Sequence, residues 1–129
     1  MAYGNFVLDK GYKAAAALTK FRACKLTATE TVGPVSAIGD VCHGFPQFSV
    51  SAAELARGKG ASVRILGITE AEATGAIAVG QSVQMESDGR VSLAVGASGK
   101  RLLGRCVGHA STNAGDRIAL FFDPTGALS

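Results

Sequence analysis

From residue 75 to residue 122 the chain reads GAIAVGQSVQMESDGRVSLAVGASGKRLLGRCVGHASTNAGDRIALFF, and this rhythm decides the fold class. Apolar runs, each about one strand long, are separated by turn residues. Val83, Met85, Val91, Leu93 and Val95 fall at alternating positions on either side of Asp88-Gly89. That dipeptide tolerates the positive φ angles of a tight type I′ turn, so it predicts a β-hairpin with one face toward a core. Ala114-Gly115-Asp116 is a second turn signal, and it leads into Ile118, Leu120 and Phe122 on one face of a closing strand. The chain is therefore read as mostly β, a small single-domain barrel or sandwich.

Upstream of this stretch the pattern is shorter and more broken. Ser51-Ala52-Ala53-Glu54 has the form of a capping box, in which the serine hydroxyl and the glutamate carboxylate each satisfy the other's backbone NH. It predicts one short helix ending at Gly58 or Gly60. Residues 61–69, ASVRILGIT, carry apolar groups on both alternating faces and predict a strand covered on both sides, closed by Glu70, Glu72 and Thr74-Gly75. Residues 20–29 alternate as a two-faced strand, and 41–43 give a short extended piece. Phe48 and Val50 begin another strand, while 31–40, with Gly33-Pro34 and Gly39-Asp40, read as a loop. Residues 1–20 show neither a period of two nor one of 3.6, and they are assigned as an extended N-terminal arm preceding a domain over 21–129. Within the arm, Ala14 to Ala17 could form at most one helical turn.

Composition limits the function classes. A chain of 129 residues makes one core. Only 18% of it is charged while 47% is hydrophobic, which suits a surface partly buried between subunits. Seventeen glycines and no tryptophan favour tight turns over long amphipathic helices. Three widely spaced cysteines do not form a disulfide framework, and no segment has the length of a membrane span or the continuous apolar core of a secretion signal. These features predict synthesis in a cytoplasm. The net charge of +3 is concentrated at the N-terminus, where Lys10, Lys13, Lys20, Arg22 and Lys25 stand against Asp9. Lysine and arginine are too sparse for a nucleic-acid surface; an acidic protein partner is a better use of that charge, and an ordinary solvated segment is the plainer reading still.

Catalytic and metal-binding patterns are missing. Cys42 and His43 are adjacent and diverge on a strand, as do Cys106 and His109 three apart, so no pair converges on a metal. Gly58-Lys59 and Gly99-Lys100 lack the first glycine and the closing Ser or Thr of a phosphate loop. Gly80-Gln81-Ser82-Val83-Gln84 lacks the second glycine of a nucleophile elbow. The reading is a non-enzyme without cofactor, membrane or nucleic-acid partner.

Four segments taken in order give a more specific expectation: FSVSAAELARGKGASVRILGITEAEA at 48–73, AIAVGQSVQMESDGRVSLAV at 76–95, RLLGRCVGHA at 101–110 and AGDRIALFF at 114–122. Their sequence of capping-box helix, central strand, hairpin and closing strand resembles the capsid decoration, or cement, proteins of tailed bacteriophages. The resemblance implies a structural protein on the outer surface of the virion. It would bind the expanded phage head, commonly as a homotrimer at or near local three-fold positions, and stabilise it by clamping neighbouring major capsid protein subunits. Residues proposed for capsid contact are the aromatic and basic members of the arm, Tyr3, Phe6, Lys10, Tyr12 and Lys13. The apolar faces of 61–69 and 117–122 are proposed for trimer packing. The alternative is a β barrel that binds a carbohydrate or small apolar molecule; the two tyrosines, Tyr3 and Tyr12, lie outside the predicted barrel, which argues against aromatic sugar platforms.

Overall fold

The computed structural model describes residues 7–96 and 99–123. Nine strands and one helix follow in the order β1 (Leu8–Ala14), β2 (Cys24–Ala28), β3 (Thr31–Pro34), β4 (Phe45–Pro46), α1 (Ala52–Ala56), β5 (Ala61–Glu72), β6 (Ser82–Met85), β7 (Val91–Leu93), β8 (Leu102–Cys106) and β9 (Arg117–Phe122). They form one strongly curled, half-barrel sheet in the order β2-β3-β1-β5-β9-β8-β6-β7, with β4 also pairing β5.

The long strand β5 organises the sheet. Its first half pairs antiparallel with β1 and β4, and from Gly67 to Glu72 it pairs with β9. Gly67, at φ 105°, stands where the pairing changes, a backbone conformation that a side chain rarely permits. Each half covers its own core. Phe45, Ile77, Val83, Met85, Ile118, Leu120 and Phe122 fill the larger one, and the rings of Phe45 and Phe122 meet edge to face at 5.5 Å. Tyr12, Leu18, Val32, Val50 and Val63 form the smaller. The concave side of the sheet is thus occupied by side chains.

Several expectations are met and several are revised. The hairpin between β6 and β7 is present, with Met85 opposite Val91. Its turn differs from type I′: of Asp88 and Gly89 only the glycine has positive φ, at 85°, and the Gly89 NH donates to the Glu86 carbonyl at 3.0 Å. This is a type I turn followed by a left-handed glycine, a geometry whose twist also suits a hairpin. Gly89 is held there by Ala23, whose NH donates to the Gly89 carbonyl at 2.8 Å. Val83, Met85 and Val91 are buried, but Leu93 and Val95 are exposed because β7 ends at Leu93.

β5 runs three residues past the predicted end at Thr69. Glu70 and Glu72 point outward, and Arg22 meets Glu72 at 3.0 Å, so the carboxylates are compatible with the strand. The loop expected over 31–40 begins instead with β3, which forms a hairpin with β2. Pro34 is accommodated because its partner Cys24 donates its NH the other way, to Gly44 at 2.9 Å. β2 itself starts at Cys24, not Lys20, after a turn in which Phe21 has φ 63°. No strand forms at 41–43 or 48–50; Val50 makes only a two-bond bridge with Leu18. From Leu8 to Ala14 the expected arm is strand β1, and Ala14 to Ala17 forms no helix. A register shift between Leu8 and Asp9 breaks the period of two and conceals the strand.

The capping box is formed as predicted, with Ser51 Oγ accepting from the Glu54 NH and Glu54 Oε1 accepting from the Ser51 NH, each at 3.1 Å. Replacing Ser51 by Ala is expected to lower unfolding stability by about 1 kcal/mol in urea titration.

The loop after β3 is organised by Asp40. Its carboxylate accepts from the NH groups of Ser36 and Ala37 at 2.9 and 3.0 Å and from Lys25 Nζ at 2.9 Å. These donors, the Ser36 NH foremost, lower its pKa from 3.8 to about 2. A depressed carboxylate stabilises the fold fully above the unfolded value and loses that contribution as pH falls through the folded one. Asp40→Asn is therefore expected to be destabilised by about 1 kcal/mol at pH 7. Urea midpoints measured down to pH 2 should show the gap between variant and wild type narrowing through this range.

Candidate interaction surfaces

The thiols are buried structural groups. Burial pushes the Cys24 pKa up to about 12 and that of Cys42 well above its ordinary value, so neither supplies a thiolate near neutral pH. Among the described residues no group of three or more His, Cys, Asp or Glu converges to hold a metal ion. Likewise no helix is long and apolar enough to cross a membrane.

The surface carries two features that interaction requires. The first is an apolar stripe on the outward face of three adjacent strands. β5 alternates, with Val63, Gly67, Thr69 and Ala71 turned inward, and this leaves Leu66 and Ile68 outward. The register sets Leu8 of β1 opposite Leu66 and Phe121 of β9 opposite Ile68. Leu8, Leu66, Ile68 and Phe121 are 52%, 43%, 38% and 47% exposed. Ion pairs border the stripe: Arg64 holds Asp9 through two hydrogen bonds of 2.8 and 3.0 Å, and Arg117 stands 3.9 Å from Glu70. An apolar centre with a polar rim is the anatomy of a protein interface. The strands predicted for subunit packing supply three of its four residues. Leu8 was missed because the bulge beside it hid the alternation of β1.

The second feature is a groove of about 340 Å³ between β1 and the turn from α1 to β5, lined by Tyr12, Lys13, Ala14, Leu55, Gly58 and Lys59 among others. It gathers two of the proposed contact residues. Tyr12 is only 8% exposed and packs in the smaller core, with its hydroxyl 2.6 Å from His43 Nε2. Desolvation lowers the His43 pKa, and the nearby Lys10 ammonium acts in the same direction. Lys10 is paired with Glu30 at 2.9 Å and lies 5.2 Å from the Tyr12 ring centre. Lys13 has no acidic partner among the described residues. Tyr3 and Phe6 lie outside them.

Comparison with known proteins agrees with this architecture. A model of the phage cement protein family matches residues 2–121, and the chain belongs to that family. Among solved structures, the crystal structure of the N base of head fiber gp8.5 in bacteriophage phi29 shares the fold, with a TM-score of 0.66 at 13% sequence identity over 96% of this chain and 100% of that one. No curated protein matches the chain significantly.

Proposed function

We propose that this cement-family chain is a structural virion protein that binds the outside of the expanded phage head as a homotrimer and stabilises the head by clamping neighbouring major capsid protein subunits. The family supports association with a phage capsid. The observation that carries the finer reading is the outward stripe of Leu8, Leu66, Ile68 and Phe121, which a monomer would leave in water. Packing it between copies buries apolar area and orients three chains alike. If one subunit offers the capsid less contact than the ~800 Å² per partner of a durable complex, its binding alone is weak. Three linked copies engaging three equivalent sites gain about 10²- to 10⁴-fold in avidity when the geometry matches. If those sites exist only on the expanded lattice, binding stabilises that lattice by linkage. The protein would be made in the host cytoplasm and assembled onto finished heads.

The test mixes purified protein with expanded, undecorated capsids of its phage, images them, and measures its mass in solution. A trimeric mass and added density on the capsid exterior are expected. A monomeric mass together with bare capsids overturns the reading.

A further inference from the structure

We infer that the groove between β1 and the α1–β5 turn receives an acidic, extended segment of the major capsid protein, with Lys13 as its charge anchor; this rests on the capsid-binding reading above. The lining supplies cations and no carboxylate. Lys13 and Lys59 line it, together with the apolar surface of Ala14 and Leu55. The two lysines differ in state. Lys59 is fixed, with Nζ bonded to Glu54 Oε2 and to the Ser49 carbonyl and lying 4.8 Å from the Phe48 ring centre. Its charge is already balanced by Glu54. Lys13, by contrast, stands on a strand whose backbone is anchored at this point, since its NH donates to the Glu30 carbonyl at 2.8 Å, while its ammonium has no acidic partner among the described residues. An uncompensated cation beside an apolar floor is complementary to a segment carrying an apolar side chain next to Asp or Glu.

The shape of the wall favours a peptide over a compact ligand. Gly58 has φ 82°, a conformation that selects glycine, and the space where a Cβ would stand is open. A partner backbone can therefore approach the turn closely. Gly60 lies against the Tyr12 carbonyl, which a Cβ would meet at 3.0 Å, so the opposite wall is fixed to β1. Tyr12 itself is held by the His43 contact and the smaller core, giving the groove a rigid side. The apolar stripe of Leu8, Leu66, Ile68 and Phe121 shares no residue with the lining of the groove, so self-association and capsid contact use different residues.

The experiment measures half-saturation of expanded capsids by wild type, Lys13→Glu, Lys13→Ala and Lys13→Arg, at low and at physiological salt, with solution mass and circular dichroism recorded for each. Lys13 is on an exposed strand position, and the variants are expected to fold and keep the wild-type oligomeric mass. Lys13→Glu should need at least about ten times more protein for half-saturation, Lys13→Ala an intermediate excess, and Lys13→Arg little more than wild type, with the differences compressed by salt. Carbodiimide treatment of decorated capsids, which joins an amine to a carboxylate in direct contact, should link Lys13 to an Asp or Glu of the major capsid protein. Should wild type fail to bind, the capsid reading itself falls. Should wild type bind while Lys13→Glu and Lys13→Ala bind equally well and no such link forms, the groove is excluded as the docking site.

Discussion

Phe121→Asp is expected to convert the proposed trimer to a folded monomer and to reduce capsid affinity by about 10²- to 10⁴-fold, the avidity that three linked sites would supply. The monomer tolerates the change because Phe121 is 47% exposed and points away from both cores. Its cross-strand neighbour on β8 is Arg105, which favours an acidic side chain opposite it. The loss of an aromatic strand former is worth only about 1 kcal/mol of fold stability. At a subunit interface the balance is different, since an aspartate buried among Leu66, Ile68 and Leu8 of neighbouring copies would have to shed its water without a partner. Sedimentation or light scattering gives the mass, circular dichroism checks the fold, and capsid titration gives the affinity. A variant that remains trimeric would remove the stripe from the subunit interface.

The elements most legible in the sequence are those whose signal is local. The capping box needs only Ser51 and Glu54 three residues apart, and the closing strand needs only Ile118, Leu120 and Phe122 with a glycine turn before them. Elements set by distant contacts were harder to see. β3 contains Gly33-Pro34, a turn signature, yet it is a strand because β2 and β1 flank it and the missing proline NH faces a position where none is needed. β1 reads as an extended arm because its alternation is broken by a bulge; β5 on one side and the smaller core beneath Tyr12 make it part of the sheet. The same limit applies to the candidate surfaces. Alternation marks Leu66, Ile68 and Phe121 as one-faced residues, but only the register places Phe121 beside Ile68 and Leu8 beside Leu66. The groove joins β1 to a turn more than forty residues later, a proximity that no spacing rule contains.

The largest effect on folding is expected at Gly104. In the sequence it is one glycine within LLGRC, a position where a bulge or a close backbone approach is the usual cause. The structure shows both. Its φ is 140°, outside the range that side chains readily adopt, and a Cβ there would lie 1.8 Å from the Phe121 carbonyl oxygen. That oxygen belongs to the neighbouring strand, so relief requires β8 and β9 to separate, and it cannot come from a rotamer change. On its other edge β8 pairs with β6, and the register there shifts between Val83 and Gln84, beside Gly104. Moving β8 would disturb Leu103 and Cys106, both in the larger core, together with β6. Gly104→Ala should therefore lose at least about 3 kcal/mol, combining backbone strain with an overpacked contact, and lower Tm by about 10 °C or more. Gly39→Ala is the matched control: a Cβ at Gly39 would meet nothing within 4 Å and its φ is not positive, so its stability should stay within about 0.5 kcal/mol of wild type. Thermal and urea unfolding of the two variants side by side separates a glycine required by backbone approach from one that merely sits in a loop. Equal stability of both would mean that β8 does not lie this close to β9.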